Sequence, residues 1–144
     1  MSYAVDVNLL LCASNDGDAQ HTKANAFLRR CMAGPELMCL GWLTVMSYLR
    51  MATHPKIFVK PLTHSAAAAN VETLLALPHV RMLSEGERFW AHYRALSREV
   101  PTRANFVPDV HLAALLREHG VTTLYTHDRD FRKFDFLDVR DPLS

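Results

Sequence analysis

The chain opens on an apolar run, Tyr3-Ala4-Val5, that ends on a carboxylate, Asp6, and passes at once into apolar residues at helical spacing, Val7-Asn8-Leu9-Leu10-Leu11. A short apolar run of this kind reads as a strand buried on both faces, with a helix starting directly behind it. The pattern repeats. Strand candidates at Glu36–Leu40, Val80–Leu83, Val121–Tyr125 and Phe134–Val139 are separated by helical periodicity. The helical stretches are Val7–Ala13, His21–Cys31, Gly41–Thr53, Thr63–Leu77, the segment through Phe89, Trp90, Tyr93 and Leu96, and the segment that Pro108 opens. Strands alternating with helices imply right-handed crossovers and a mostly parallel sheet of four or five strands with helices on both faces, a three-layer α/β/α architecture.

The punctuation agrees with this frame. Gly34-Pro35 breaks the second helix, His54-Pro55 ends the next, and Thr63 stands where a helix cap belongs. Ser84 three residues before Glu87 has the form of a capping box for the helix that follows. Pro108 sits where a first helical turn tolerates proline, and Gly120 stops that helix. With 144 residues and 49 % apolar composition, the chain makes one domain, residues 1–144, with a proper core. Net charge is +1, so any affinity for nucleic acid has to come from a local patch. Cys12, Cys31 and Cys39 lack paired spacing and read as buried thiols in a cytoplasmic protein, not as a disulfide frame or a zinc site. Met1-Ser2-Tyr3 has no basic leader, and no apolar run reaches the roughly 20 residues of a membrane span.

In open α/β sheets, ligands bind off the carboxyl ends of the strands. Three acids fall there. Asp6 ends the first strand, Asp109 lies in the first turn after Pro108, and Asp128 follows the fourth strand in Leu124-Tyr125-Thr126-His127-Asp128. Each has a plain structural reading: an acid at a helix start complements the macrodipole, and an Asp after a strand makes a turn. Three carboxylates crowded at one sheet edge, however, repel one another unless a cation sits among them. Oxygen donors without a Cys/His pattern favour Mg²⁺ or Mn²⁺ over zinc.

The ordered set Val-Asp-Val-Asn-Leu-Leu-Leu at residues 5–11, Pro-Asp-Val-His-Leu-Ala-Ala-Leu at 108–115 and Thr-His-Asp-Arg-Asp-Phe at 126–131 resembles the PIN-domain family, and within it the VapC-type ribonuclease toxins of bacterial toxin–antitoxin pairs. The likeness runs the whole chain, including Trp42 to Phe58. It implies a Mg²⁺-dependent endoribonuclease (Mn²⁺ also fitting) with Asp6, Asp109 and Asp128 as metal-site acids. Asn8 and Thr126 match supporting polar positions, and Asp130 completes the last motif. It further implies a cognate antitoxin whose amphipathic tail lies in a groove between the early helices, an RNA substrate, a homodimer and a toxin–antitoxin hetero-oligomer.

One position departs from the pattern. Where the family commonly carries a Glu ahead of Leu-Arg, this chain has Ser47 in Met46-Ser47-Tyr48-Leu49-Arg50. A hydroxyl is a poor ligand for a hard dication. Glu36, Glu85 and Glu87 are expected at the opposite sheet edge and do not replace it. Arg50, Arg103 and Arg129 are candidates for RNA phosphate, each with a solvated-charge alternative; Arg132 and Lys133 extend the basic patch. His111 lies two positions, roughly 200°, around the helix from Asp109 and should face away. Trp42, Trp90 and Tyr93 read as core or dimer contacts, not as base-stacking platforms. Two other classes stay open: a binding module that has lost cleavage, and a phosphotransfer domain with Asp6 as nucleophile. The second lacks the Asp-x-Asp pattern, since position 8 is Asn. The absence of a Gly-rich turn after the first strand disfavours a nucleotide-cofactor fold.

Overall fold

The computed structural model describes residues 1–144. Five strands, β1 (Ser2–Val5), β2 (Leu37–Gly41), β3 (Val80–Leu83), β4 (Thr123–Tyr125) and β5 (Asp138–Arg140), form one sheet in the order β3-β2-β1-β4-β5. Every neighbouring pair is parallel, so the expected mostly parallel sheet is wholly so. Ala4 is the shared register point, paired with Cys39 on one side and Leu124 on the other.

Strand alternation splits the core in two. Tyr3, Val5, Met38 and Leu40 point to one face, where they meet α1 (Val7–Ser14), α2 (His21–Ala33), α3 (Trp42–Ala52) and α4 (His64–Leu75). Ala4, Cys39 and Leu124 point to the other, where they meet α5 (Phe89–Glu99) and α6 (Val107–Glu118). This double burial is why the strands read as continuous apolar runs. Helix α6 is buried along Val110 and Leu112–Leu116, so it forms the floor of the second layer.

Gly41 lets that floor come close. A Cβ on it would stand 2.8 Å from Leu115 Cδ2, and Leu115 is itself only 1 % exposed. Where β2 turns into α3 there is therefore no room for a methyl group.

The expected boundaries shift in several places. Thr63 caps α4 as expected, its hydroxyl accepting from Ala66 N at 3.1 Å. The capping box before α5 does not form. Glu118, at the end of α6, accepts instead from Gly86 N at 2.8 Å and Arg88 N at 3.1 Å, so the carboxylate at this helix start comes from a distant element. Strand β4 starts at Thr123 and not Val121, because Gly120 takes φ +69° and Val121 N closes back onto Leu116 O. Strand β5 starts at Asp138 and not Phe134 because Phe134–Leu137 closes a turn, Leu137 N donating to Phe134 O at 3.1 Å, directly behind the 3₁₀ turn Arg129–Lys133 that buries Phe131. Glu85 and Glu87 follow the carboxyl end of β3, so they lie toward the same edge as Asp6 and not the opposite one; Glu85 is 3.2 Å from His111. Trp90 is not core: it is 65 % exposed. The three cysteines are free and buried, and no helix is long and apolar enough to cross a membrane.

Gly41→Ala is expected to cost about 1–3 kcal/mol through overpacking against Leu115. Urea unfolding read by circular dichroism checks this, with an unchanged m-value marking an effect on stability alone.

Candidate metal centre

Strand order reverses between β1 and β4: the chain builds β2 and β3 to one side of β1, then returns to lay β4 and β5 on the other. Reversal of this kind opens a crevice at the strands' carboxyl ends. Asp6 and Thr126 are the residues that leave β1 and β4 there. Asp6 N donates to Tyr125 O at 3.0 Å, continuing the ladder by one step.

Asp6 is also the N-cap of α1, its Oδ1 accepting from Val7 N at 2.8 Å. Its Oδ2 accepts from the buried Thr126 hydroxyl at 2.9 Å. That hydroxyl in turn accepts from Asn8 Nδ2 at 3.1 Å and from Asp128 N at 3.0 Å. Asn8 Oδ1 accepts from His127 N. Asp128 then caps the 3₁₀ turn, its Oδ1 accepting from Asp130 N at 2.9 Å. This turn swings Asp130 back toward the first turn of α6, where Pro108 precedes Asp109.

Asp109, Asp128 and Asp130 each offer a carboxylate oxygen, and these lie within 4.8 Å of one another. The group differs by one member from the three acids singled out in the sequence. Asp130 joins it directly, while Asp6 stands behind, buried, lining a crevice of about 70 Å³ together with Asp109 and Ser47. Val7, Leu43, Thr44, Pro108, Leu112 and Phe131 complete that crevice; none was legible as a site residue, being apolar or isolated in sequence. Arg50, Arg103 and Arg129 are exposed and pair with no carboxylate. Lys133, named in the sequence only as part of a basic patch, has Nζ 3.8 Å from Asp130 Oδ1 and 5.0 Å from the centroid of the Phe106 ring. His127 Nδ1 turns to Asp141 Oδ2 at 2.8 Å, away from the acids.

The electrostatics are those of acids short of a counter-charge. Burial pushes the Asp6 carboxyl up; the Thr126 and Val7 hydrogen bonds pull it down, and the Asp128 charge raises it again. Asp109 is pushed up to about 7, first by burial and then by the charges of Asp128, Asp6 and Asp130, with Lys133 opposing. The donors are all carboxylate oxygens, a set that suits a hard divalent cation.

A profile of the PIN domain matches residues 3–137. The chain belongs to the PIN-domain family. Over 144 residues this PIN domain is 43 % identical to Ribonuclease VapC48 of Mycobacterium tuberculosis, covering 100 % of the chain and 99 % of the relative. Ribonuclease VapC43 of the same organism is 33 % identical over 140 residues, 97 % of this chain and 95 % of its own. In fold, this PIN domain is similar to the crystal structure of Mycobacterium tuberculosis VapC20, described as a sarcin–ricin loop cleaving toxin. The TM-score is 0.67 at 22 % identity, covering 96 % and 98 % of the two chains. It is also similar to VapBC2 of Rickettsia felis bound to a promoter DNA fragment, with a TM-score of 0.68 at 12 % identity, covering 98 % of each chain.

The raised Asp109 pKa fixes a sign for pH dependence. A carboxyl whose folded-state pKa lies above its unfolded value gives stability that is present below about pH 4 and lost as pH rises through about 7. In EDTA, Asp109→Asn is therefore expected to raise the Tm at pH 8 and to leave it nearly unchanged at pH 4. Thermal melts of the two proteins at both pH values check it.

Proposed function

We propose that this PIN domain is a metal-dependent endoribonuclease toxin, held silent by a cognate antitoxin. The observation that carries the reading is the convergence of Asp109, Asp128 and Asp130 beside buried Asp6 at the point where strand order reverses. Those four acids are the residues that would hold Mg²⁺, and Mn²⁺ suits the same donors. When bound, such a cation supplies positive charge for a phosphodiester's oxygens and eases proton loss from a water. The chain's own part is positional. Thr126 and Val7 fix both oxygens of Asp6, so it presents a set direction to the crevice. Asn8 holds Thr126 and the backbone of His127, which keeps the turn carrying Asp128 in register with β1. Exposed Arg50, Arg103 and Arg129 suit contacts to RNA phosphate.

The partner side is supported by a second feature. Helices α1 to α4 leave a groove of about 220 Å³ lined by Leu10, Leu28, Met32, Val45, Val71 and Leu74 among others, apolar except for a short polar rank. It fits the apolar face of an antitoxin helix. Solved complexes described as VapBC2 and as a toxin–antitoxin complex from Klebsiella pneumoniae share the fold. Trp42 and Met46, one turn apart on α3 and 43 % and 52 % exposed, offer an apolar contact for a homodimer.

A second reading, a binding module without cleavage, draws on Ser47. It lines the crevice as a hydroxyl where the resemblance expects a carboxylate.

Purified protein is expected to cleave structured RNA with Mg²⁺ or Mn²⁺ and to stop on addition of EDTA. Asp6→Asn and Asp109→Asn should lower the rate by more than the roughly 10- to 100-fold that loss of an outer partner costs. Cleavage that survives Asp6→Asn overturns the reading, and RNA or antitoxin binding with no cleavage in any metal favours the second. Ser47→Glu is expected to tighten Mn²⁺ binding measured by calorimetry; an unchanged affinity places position 47 outside the metal's reach.

A further inference from the structure

Trp90 is the more exposed of the chain's two tryptophans, at 65 % against 43 % for Trp42, and its ring has a partner. Its ring stacks on Tyr93 one turn along α5, with centroids 5.4 Å apart and planes 13° from parallel. One face of the indole is thus covered and the other is open to solvent. Tyr93 leads to Phe89 at 6.3 Å, and Phe89 leads to His111 at 4.9 Å. The row of rings therefore starts on the surface of α5 and ends at His111 on α6, whose ring is turned to Glu85.

The residues beside Trp90 are cationic. Arg94 and Arg98 follow it at i+4 and i+8, on the same side of the helix as Tyr93 and Ser97. Arg94 Nη1 donates to Ser97 Oγ at 3.2 Å, and neither guanidinium has a carboxylate partner. Of the nearby acids, Glu118 accepts from backbone N–H groups, Glu85 from His111, and Glu99 falls about 180° around the helix from Trp90; exposed Glu87, three residues ahead of Trp90, pairs with neither arginine. An open, pre-stacked indole with unpaired guanidiniums along one helix face is the arrangement that binds single-stranded nucleic acid, with bases on the rings and phosphates on the arginines. Pre-stacking lowers the ordering cost of binding.

We infer that the Trp90–Tyr93–Arg94–Arg98 face of α5 is a stacking platform for single-stranded RNA, holding nucleotides that flank the phosphate presented to the acids. The inference rests on RNA being the substrate. Base and phosphate account for the face better than a second copy of the chain does. A two-fold contact centred on this stripe would gather Arg94 and Arg98 of both copies, four guanidiniums, in one interface.

The test uses the unsubstituted protein, with Trp90→Phe supplying the Trp42 signal to subtract, EDTA present, and a single-stranded oligoadenylate about a dozen nucleotides long, within the span of known single-strand sites, end-labelled where anisotropy reads affinity. Saturable quenching of Trp90 emission is expected. Trp90→Ala should weaken oligoadenylate affinity roughly five- to a hundredfold, while Trp90→Phe, which keeps a ring, retains most of it. In cleavage assays Trp90→Ala should raise KM for a long RNA with kcat little changed. Unmoved emission with unchanged affinity in Trp90→Ala overturns the platform. So does a Trp90→Ala protein whose only change is a smaller sedimentation coefficient, which would make the face a contact between copies. The two readings fail separately. Metal-dependent cleavage lost in Asp6→Asn but with no Trp90 quenching leaves the nuclease standing and removes the platform. Saturable Trp90 quenching together with oligoadenylate affinity lost in Trp90→Ala, in a protein that cuts no RNA in any metal, supports the platform and removes the nuclease.

Discussion

One hydroxyl joins the parts on which the acid cluster stands. Thr126 Oγ1 donates to Asp6 Oδ2 at 2.9 Å and accepts from Asn8 Nδ2 at 3.1 Å and Asp128 N at 3.0 Å. A threonine hydroxyl has one proton and two lone pairs, so its whole capacity is in use. The three partners belong to the end of β1, the first turn of α1 and the turn after β4. These strands come together from opposite ends of the chain, 120 residues apart between Asp6 and Thr126. Thr126 is only 1 % exposed, so water cannot replace a lost partner, and each group left unpaired there costs about 1–3 kcal/mol. Valine has the right shape and would strand all three.

Magnitudes decide what the acids built on this joint are for. Asp109 sits in the first turn of α6, where the helix dipole favours its charge by about 0.3–1 kcal/mol. If complementing that dipole were its role, its pKa should fall. It rises to about 7 instead, and every tenfold loss of acidity represents about 1.4 kcal/mol set against the charged form. Burial and three neighbouring carboxylates therefore outweigh the dipole. Lys133 opposes them, but it is more than half exposed, and a solvated pair of this kind is worth at most about 1 kcal/mol. A fold that gathers acids against their own repulsion is poised for a cation, which removes the conflict at every member at once.

The fold is legible in the sequence where burial is two-sided. Tyr3-Ala4-Val5 and Met38-Cys39-Leu40 supply both core faces, so their apolar runs announce central strands and, through the alternating helices, a parallel sheet. Legibility stops where a distant residue supplies what a local pattern promises. The Ser84 box is complete within four residues, yet Glu118 caps α5 from another helix. The apolar residues just ahead of β4 and β5 serve as helix closure and a buried turn, which single-sequence periodicity does not separate from strand. Among the acids, spacing places Asp6, Asp109 and Asp128 at one edge. It offers no means of seeing that the Asp128 cap folds Asp130 into the cluster while Asp6 is held back by Thr126. Trp90 escapes a sequence reading for a related reason: helical spacing shows which residues share a face, not whether another element covers it.

Helix α3 separates the two regions that matter most, and this bears on how a partner acts on the site. Leu43, Thr44 and Ser47 line the crevice with Asp6 and Asp109. Val45 and Tyr48, on the same turns, line the apolar groove, where the Tyr48 hydroxyl lies 2.7 Å from Ser14 Oγ and accepts from Asn70 Nδ2 at 2.9 Å. Helix α1 is shared in the same way, with Asp6 at its cap and Leu10, Ala13 and Ser14 in the groove. A helix seated in the groove therefore rests on the two elements whose first turns carry the crevice walls. Close-packed helices shift as units and not residue by residue. On the proposed reading, an antitoxin in the groove has a mechanical hold on the geometry around Asp6 and Ser47 in addition to any side chain it lays across the acids. The α5 helix lies on the opposite side of the sheet, packed on α6, and on the same reading its outer face stays open to RNA.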